Sequence, residues 1–287
     1  MAHCGQNVTQ GGASAPPPRL RTFDSHCHFE PQDDIAALVA EARAAGLSGL
    51  LATGGTAEAN ATALAAAAAA PGFALPSVGF EPGEEASTSP ARAVEEVRRA
   101  APKIVCVGEI GLEYSHGEDA RTRRAQRELF AAQVSLAAEL GLPCSIHTRG
   151  AEADVKAILE ERLGPELARE GKAGAIHCFT GPPSFAEALV PLGLSFGLSG
   201  ILTFPNAGEL RSAVRSLPRD RILVETDSPY LAPAPRRGER CRPAFVVHTT
   251  RLLASLLGID EEETAALCTR NALRLFAPTA STGSANT

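Results

Sequence analysis

The sequence predicts an α/β protein folded as a (β/α)8 barrel of the TIM type, and three observations predict it. Eight short segments rich in Val, Ile, Leu and Ala recur along the chain, with longer helix-like stretches between them. These segments show little polar alternation, as parallel strands buried on both faces do. A barrel of this kind takes roughly 250 residues, which the 287 residues of this chain accommodate with a short arm to spare. The rival arrangement, an open doubly wound sheet, would carry a Gly-rich phosphate-binding turn after its first strand, and none stands there.

Residues 1–20 are rich in Gly, Ser and Pro and read as a flexible arm; 21–278 read as one barrel domain without internal repeats, and 279–287 as a disordered tail. The first strand is expected over 20–25, leading into His26-Cys27-His28, and a helix over 33–45 stops at Gly46. Strands follow over 48–53 and 74–79, then a helix over 90–100. The fourth strand, 103–109, ends in Val107-Gly108-Glu109, and the helix after it, 120–141, is closed by Gly141-Leu142-Pro143. The fifth strand (143–148) carries His147 at its end and the sixth (173–178) carries His177. The seventh strand is expected over 194–198, a helix over 207–216, and the eighth strand over 221–227, closing on Glu225-Thr226-Asp227.

Composition narrows the function classes. With 27 Lys+Arg against 33 Asp+Glu the formal charge is −6, which argues against attachment to nucleic acid by bulk charge. No run reaches the ~18 apolar residues of a membrane span, and the first twenty residues lack the basic start and apolar core of a signal peptide. Seven cysteines, none at C-x-x-C spacing and most inside apolar runs, fit buried free thiols in a reducing cytosol. The chain is therefore expected to be cytoplasmic and to touch no membrane; barrels of this kind can work alone, so a monomer is expected.

In a barrel the reactive side chains gather at the C-terminal ends of the strands. His26 and His28 are two apart, and the period of an extended chain turns both imidazoles to one side. Glu109, His147, His177, Glu225 and Asp227 fall at the ends of four other strands. Burying so many ionisable groups without a compensating metal would cost several kcal/mol each. A His-rich set with carboxylates suits Zn²⁺, Mn²⁺ or Fe better than Mg²⁺. Six or seven candidates suffice for two ions sharing a carboxylate, and a pair of divalent ions prepares hydrolysis of an ester or phosphodiester.

These segments also carry a resemblance. DSHCH (24–28), VGEIGLEY (107–114), SIHTRGAE (145–152), AIHCFTG (175–181), LVETDSPYLAP (223–233) and NALRLF (271–276) resemble, in order and with suitable spacing, the TatD family of metal-dependent hydrolases. The resemblance implies an amidohydrolase-related barrel and deoxyribonuclease activity at the 3′ end of single-stranded DNA. It implies two divalent metal ions (Zn, Mn or Mg), one bound by His26, His28 and Asp227, the other by His147 and His177, with Glu109 bridging them. Asp227 sits where the family's water-orienting general base is expected, with Glu225, two residues earlier on the same strand face, supporting it from behind.

Two positions depart from the family pattern. Its G-x-H-P segment reads Gly79-Phe80-Glu81-Pro82, so Glu81 stands where a histidine would help with the scissile phosphate. A carboxylate there repels a phosphodiester unless it is protonated or binds metal. The family's R-G-x-x-N-x-P reads Arg237-Gly238-Glu239-Arg240-Cys241-Arg242-Pro243, with Cys241 for asparagine. Local basicity acts the other way: Arg149, Arg237 and Arg240, with Arg236 and Arg242, are candidate phosphate contacts, whereas Arg121, Arg123, Arg124 and Arg127 read as a solvated helix face. Glu113 and His116 fall on the loop expected after Glu109 and could line the cleft, and His248 falls in a helical stretch. Eleven Phe, two Tyr and no Trp offer no obvious stacking platform for a long strand, so binding is expected to be brief and confined to a strand end. The leading reading is a 3′–5′ exonuclease acting on DNA ends. The alternatives are hydrolysis of another ester, an amide or aminoacyl-tRNA at the same metals, and a non-catalytic relative that binds metal or nucleic acid.

Overall fold

Apolar runs form eight parallel strands in a computed structural model that describes residues 20–277. The expected arm and tail lie outside the described residues except for Leu20, which is buried. In chain order the elements are β1 (Phe23–Cys27), α1 (Ile35–Ala45), β2 (Gly49–Ala52), α2 (Ala57–Ala69), β3 (Ala74–Val78), α3 (Pro90–Ala100), β4 (Cys106–Glu113), α4 (Ala120–Leu140) and β5 (Cys144–Arg149). They continue with α5 (Glu152–Arg162), α6 (Pro165–Glu170), β6 (Gly174–Ile176), α7 (Pro183–Leu189), β7 (Leu194–Leu198), α8 (Gly208–Val214), β8 (Ile222–Val224), α9 (Val246–Leu257) and α10 (Glu261–Phe276). The helix boundaries follow local chemistry. Asp34, Thr56, Ser89, Asp119 and Asp260 each accept a backbone N–H of the first turn they precede. Gly46 and Gly141 end α1 and α4 in the left-handed conformation, as expected.

Each strand pairs in parallel with the next, in the order β1 to β8. β8 and β1 meet not in a ladder but in an isolated bridge between Cys27 and Ser228. The Asp227 N–H donates to the His26 carbonyl at 2.9 Å and the His28 N–H to the Ser228 carbonyl at 2.8 Å. The barrel is thus nearly closed, and the closing seam runs through three of the expected site residues. Near the strand starts Phe23, Leu51, Cys106, Ala175 and Leu223 pack against Ala272, Leu275 and Phe276 of α10. One end is therefore sealed by apolar burial, leaving the other for chemistry.

Two departures from the expected strand ends bear on the site. β4 continues four residues past Glu109, because its ladder to β5 resumes after an irregularity and runs from Ile110–Ile146 to Glu113–Arg149. Glu113 is therefore the last residue of a strand rather than part of a loop. β8 stops at Val224, so Glu225 and Asp227 do not share a strand face; Asp227 lies beyond the strand with φ +56°. The six described cysteines are free, five of them buried and Cys178 half-buried. Among the described residues no helix is long and apolar enough to cross a membrane.

Candidate metal centre

Five side chains from the ends of four strands, His26, His28, His147, His177 and Asp227, gather around the carboxylate of Glu109. Glu109 sits mid-strand in β4 and is buried, and its two oxygens face different partners. Oε2 lies 3.3 Å from His26 Nε2 and 3.4 Å from His28 Nε2. Oε1 lies 3.1 Å from His147 Nδ1 and 2.9 Å from His177 Nε2. Asp227 Oδ1 stands 3.9 Å from His26 Nε2 and 3.7 Å from His28 Nε2. Within each pair the imidazoles nearly touch: His26 and His28 Nε2 are 3.0 Å apart, His147 Nδ1 and His177 Nε2 3.2 Å. Three overlapping groups could each hold a cation, their donor atoms within 4.8 Å of one another: His26 with His28 and Glu109, Glu109 with His147 and His177, and His26 with His177 and Asp227.

The outer ring nitrogens decide whether this donor set fits a metal. His28 Nδ1 faces the Thr53 carbonyl at 3.1 Å, and a carbonyl only accepts, so in the neutral ring Nδ1 carries the proton and Nε2 turns its lone pair inward. His147 Nε2 donates in the same way to Glu113 Oε2 at 3.1 Å, leaving Nδ1 as the inward lone pair. His26 Nδ1 is held by Ser145 Oγ at 2.9 Å. Metal-ligating histidines are oriented by such outer hydrogen bonds, and the residues fit a divalent cation. His177 is the exception: its Nδ1 is buried without a hydrogen bond, 3.9 Å from Glu225 Oε1.

Charge follows the same geometry. Burial alone would raise the Glu109 carboxyl, but His177, His147 and His26 hold it well below the usual carboxylate range. Burial lowers His177, yet the charge and hydrogen bond of Glu109 outweigh it and push the imidazole up to about 10. His26, fully buried and stacked 3.9 Å from the His177 ring, is held well below its ordinary value by that burial and by its neighbour's charge. The cluster is an ion-pair network in which a bound cation would replace protons.

The cluster forms the floor of a cavity of about 700 Å³. Glu81 lines it as expected, with burial and then repulsion from Glu109 pushing its carboxyl up to about 7. Arg149 also lines it and is, among the described lining residues, the only Lys or Arg. His116 lines the same cavity, and Glu85, Glu113 and Glu118 make the wall strongly acidic.

Three expectations are corrected. Arg240 does not reach this cavity; it pairs with Asp33 (2.6 Å) and Glu30 and lines a separate hollow. Arg237 is not among the lining residues either: its guanidinium stacks 3.6 Å over the Phe204 ring. The neighbouring Arg236 and Arg242 are likewise engaged, with Glu239 and Glu41. Glu225 does not back Asp227; it accepts from the Cys178 N–H and from Ser25 Oγ and faces His177. The physical reason is the early end of β8, which turns the two carboxylates apart. The orienting role of Glu113 was missed, although its four-residue spacing from Glu109, with side-chain-free Gly111 between, is a strand-period signal. Asp24 was missed too: it accepts from the N–H (2.9 Å) and Oγ1 (2.6 Å) of Thr226, tying β1 to the turn that carries Asp227. His248 lies in α9; Arg124 pairs with Glu128 within α4, and Arg127 pairs across to Asp154 of α5.

The family described as TatD related DNase matches residues 23–277. The chain belongs to the TatD family. It is 43% identical over 185 residues to the uncharacterized metal-dependent hydrolase YcfH of Escherichia coli (strain K12), an alignment covering 64% of this chain and 67% of that protein. It is 38% identical over 250 residues to the 3′-5′ ssDNA/RNA exonuclease TatD of Pantoea vagans, covering 85% of this chain and 93% of that protein. Among solved structures, the TatD homolog YjjV from Escherichia coli K12 superposes with a TM-score of 0.80 at 28% identity, covering 91% of this chain and all of that one. Like its TatD relatives, the chain is a metal-dependent hydrolase.

Proposed function

We propose that this hydrolase removes nucleotides from the 3′ end of single-stranded nucleic acid, with two divalent cations. His26, His28 and Asp227 would hold one, His147 and His177 the other, and Glu109 would be shared between them. The observation that carries this reading is the division of Glu109, each oxygen facing its own imidazole pair at 2.9–3.4 Å. Two such cations supply Lewis acidity, lowering the pKa of water and neutralising charge that develops on phosphoryl oxygens. Asp227, at the rim of the cluster, accepts the proton of the attacking water. Arg149 takes a non-bridging phosphate oxygen from the cavity wall. The strand's 3′ end enters a space of about 700 Å³, enough for a terminal nucleotide and its phosphate. The exonuclease name of the Pantoea relative, aligned over nearly its whole length, supports the substrate class.

A 5′-labelled single-stranded oligonucleotide with Mg²⁺, Mn²⁺ or Zn²⁺ tests this. Stepwise shortening, lost in His147→Ala, is the expected result. Glu109→Ala is expected to abolish turnover, and full activity in that variant would overturn the shared-carboxylate role.

One observation favours a second reading at the same metals. Glu85 and Glu118, joined by Glu81 once it ionises, line the cavity along with a single arginine, and like charges repel a polyanion. An uncharged carboxylic ester or amide would meet no such penalty. Intact DNA under all three metals, with turnover of a small ester, would decide for it.

A further inference from the structure

All the aromatic residues of this chain lie within the described segment, and Tyr230 alone among them is exposed, at 60%. The other tyrosine, Tyr114, is half-buried, with its hydroxyl on Asp154 at 2.8 Å and its ring beneath Arg123. None of the ring–ring or cation–ring contacts among the described residues involves Tyr230. The ring stands on the wall of the cavity whose floor is the His–carboxylate cluster, beside Leu231 and three residues after Asp227.

The backbone beneath it is fixed. The Tyr230 N–H donates to the Asp227 carbonyl at 2.9 Å, and the Cys241 N–H to the Pro229 carbonyl at 3.0 Å. The Leu231 carbonyl packs so tightly on Gly200 that a Cβ there would come within 2.0 Å of it. The fold therefore pins the main chain on both sides of a ring that is mostly exposed and takes part in none of the aromatic or cation–ring contacts among the described residues. Such a ring has only two side-chain torsions to lose on binding, and its exposed face is apolar area that a planar ligand can cover.

We propose that Tyr230 is the platform on which the terminal nucleobase of the substrate stacks, setting that base beside the cluster and selecting for a strand end that carries one. The inference rests on the strand-end reading of the site. Stacking tolerates every base, because each has a π-face, so the platform recognises the presence of a base rather than its identity. A single ring at the cavity mouth also fits attachment confined to one end of the strand.

The test separates stacking from cleavage. A single strand ending in 2-aminopurine, its last linkage a phosphorothioate, is titrated with metal-replete enzyme; stacking on tyrosine quenches the fluorophore. Quenching is expected with the native protein and with Tyr230→Phe, and is expected to vanish with Tyr230→Ala. In parallel, Tyr230→Ala is expected to raise KM by about 10-fold or more on a strand with a terminal base, with a smaller change in kcat. On a strand whose last nucleotide is abasic, Tyr230→Ala and the native enzyme should behave alike. Unquenched 2-aminopurine with the native protein overturns the platform, as does an equal loss by Tyr230→Ala on abasic and base-bearing ends. Quenching that depends on Tyr230 without cleavage of any strand sustains the platform and overturns the nuclease reading.

Discussion

Glu113 bears on the candidate metal site at one remove, through His147. Its Oε2 takes the outer nitrogen of His147 at 3.1 Å while its Oε1 accepts from the Ser115 N–H at 2.7 Å, so the imidazole is held by a carboxylate that is itself held. Removing such an outer partner typically costs 10- to 100-fold in metal affinity. Glu113→Ala should therefore weaken cation binding at the His147 half of the cluster by about that factor, read by competition with a chelating dye; unchanged affinity would remove the orienting role. Glu81 gives a prediction with a sign. Its carboxyl rises from 4.5 to about 7 in the folded chain, chiefly through burial. A carboxyl with a raised folded pKa binds its proton more tightly folded than unfolded, so it destabilises the protein progressively as pH climbs from about 4.5 to about 7. In chelated protein, Glu81→Gln should match the native chain near pH 4 and exceed it in urea midpoint at pH 8. Equal midpoints at both pH values would show that the carboxyl is not strained.

At the scale of elements, the β4–β5 pair brings two main chains into close approach beside the site. Gly111 pairs with His147 across the ladder and has φ +152°, and a Cβ there would lie 2.0 Å from the His147 carbonyl oxygen. Gly111→Ala should cost about 3 kcal/mol or more and displace His147, lowering both the urea midpoint and metal binding; a variant with native stability would contradict the close approach. The same pair explains what could and could not be read from the residues. Helix stops at Gly46 and Gly141 are decided within a few residues, and both were legible. So was the convergence of His26, His28, Glu109, His147, His177 and Asp227, because strand order turns sequence position into place on the barrel rim. The extension of β4 past Glu109 was not, since it depends on a ladder irregularity between Val107 and Ile110 that only the partner strand defines. Arg240 illustrates the same limit for charge. Its acidic partner Asp33 is 207 residues away along the chain, so no local run could show that the guanidinium was already taken.

Taken as a whole, the molecule separates stability from chemistry along the barrel axis. Phe23, Cys106, Leu223 and Phe276 seal one end by apolar burial. At the other, His26, Glu109 and His177 are buried in mutual charge contact. A cluster of buried ionisable groups is tolerated rather than favoured when nothing offsets their desolvation, so cations that bind the folded barrel and not the unfolded chain should stabilise the entire domain. Saturation of one site at 100 times its Kd is worth about 2.7 kcal/mol. For a domain of this size that corresponds to roughly 5–10 °C in Tm. Thermal unfolding of chelated protein titrated with Mn²⁺ or Zn²⁺ should therefore rise by about that much per site, in two steps if the two halves of the cluster differ in affinity. His177→Ala should remove the step belonging to the His147 half and leave the His26–His28 half responsive. A Tm indifferent to chelation and to added metal would mean that the cluster is stable as an ion-pair network in its own right, and would undercut the two-cation reading more directly than any loss of activity.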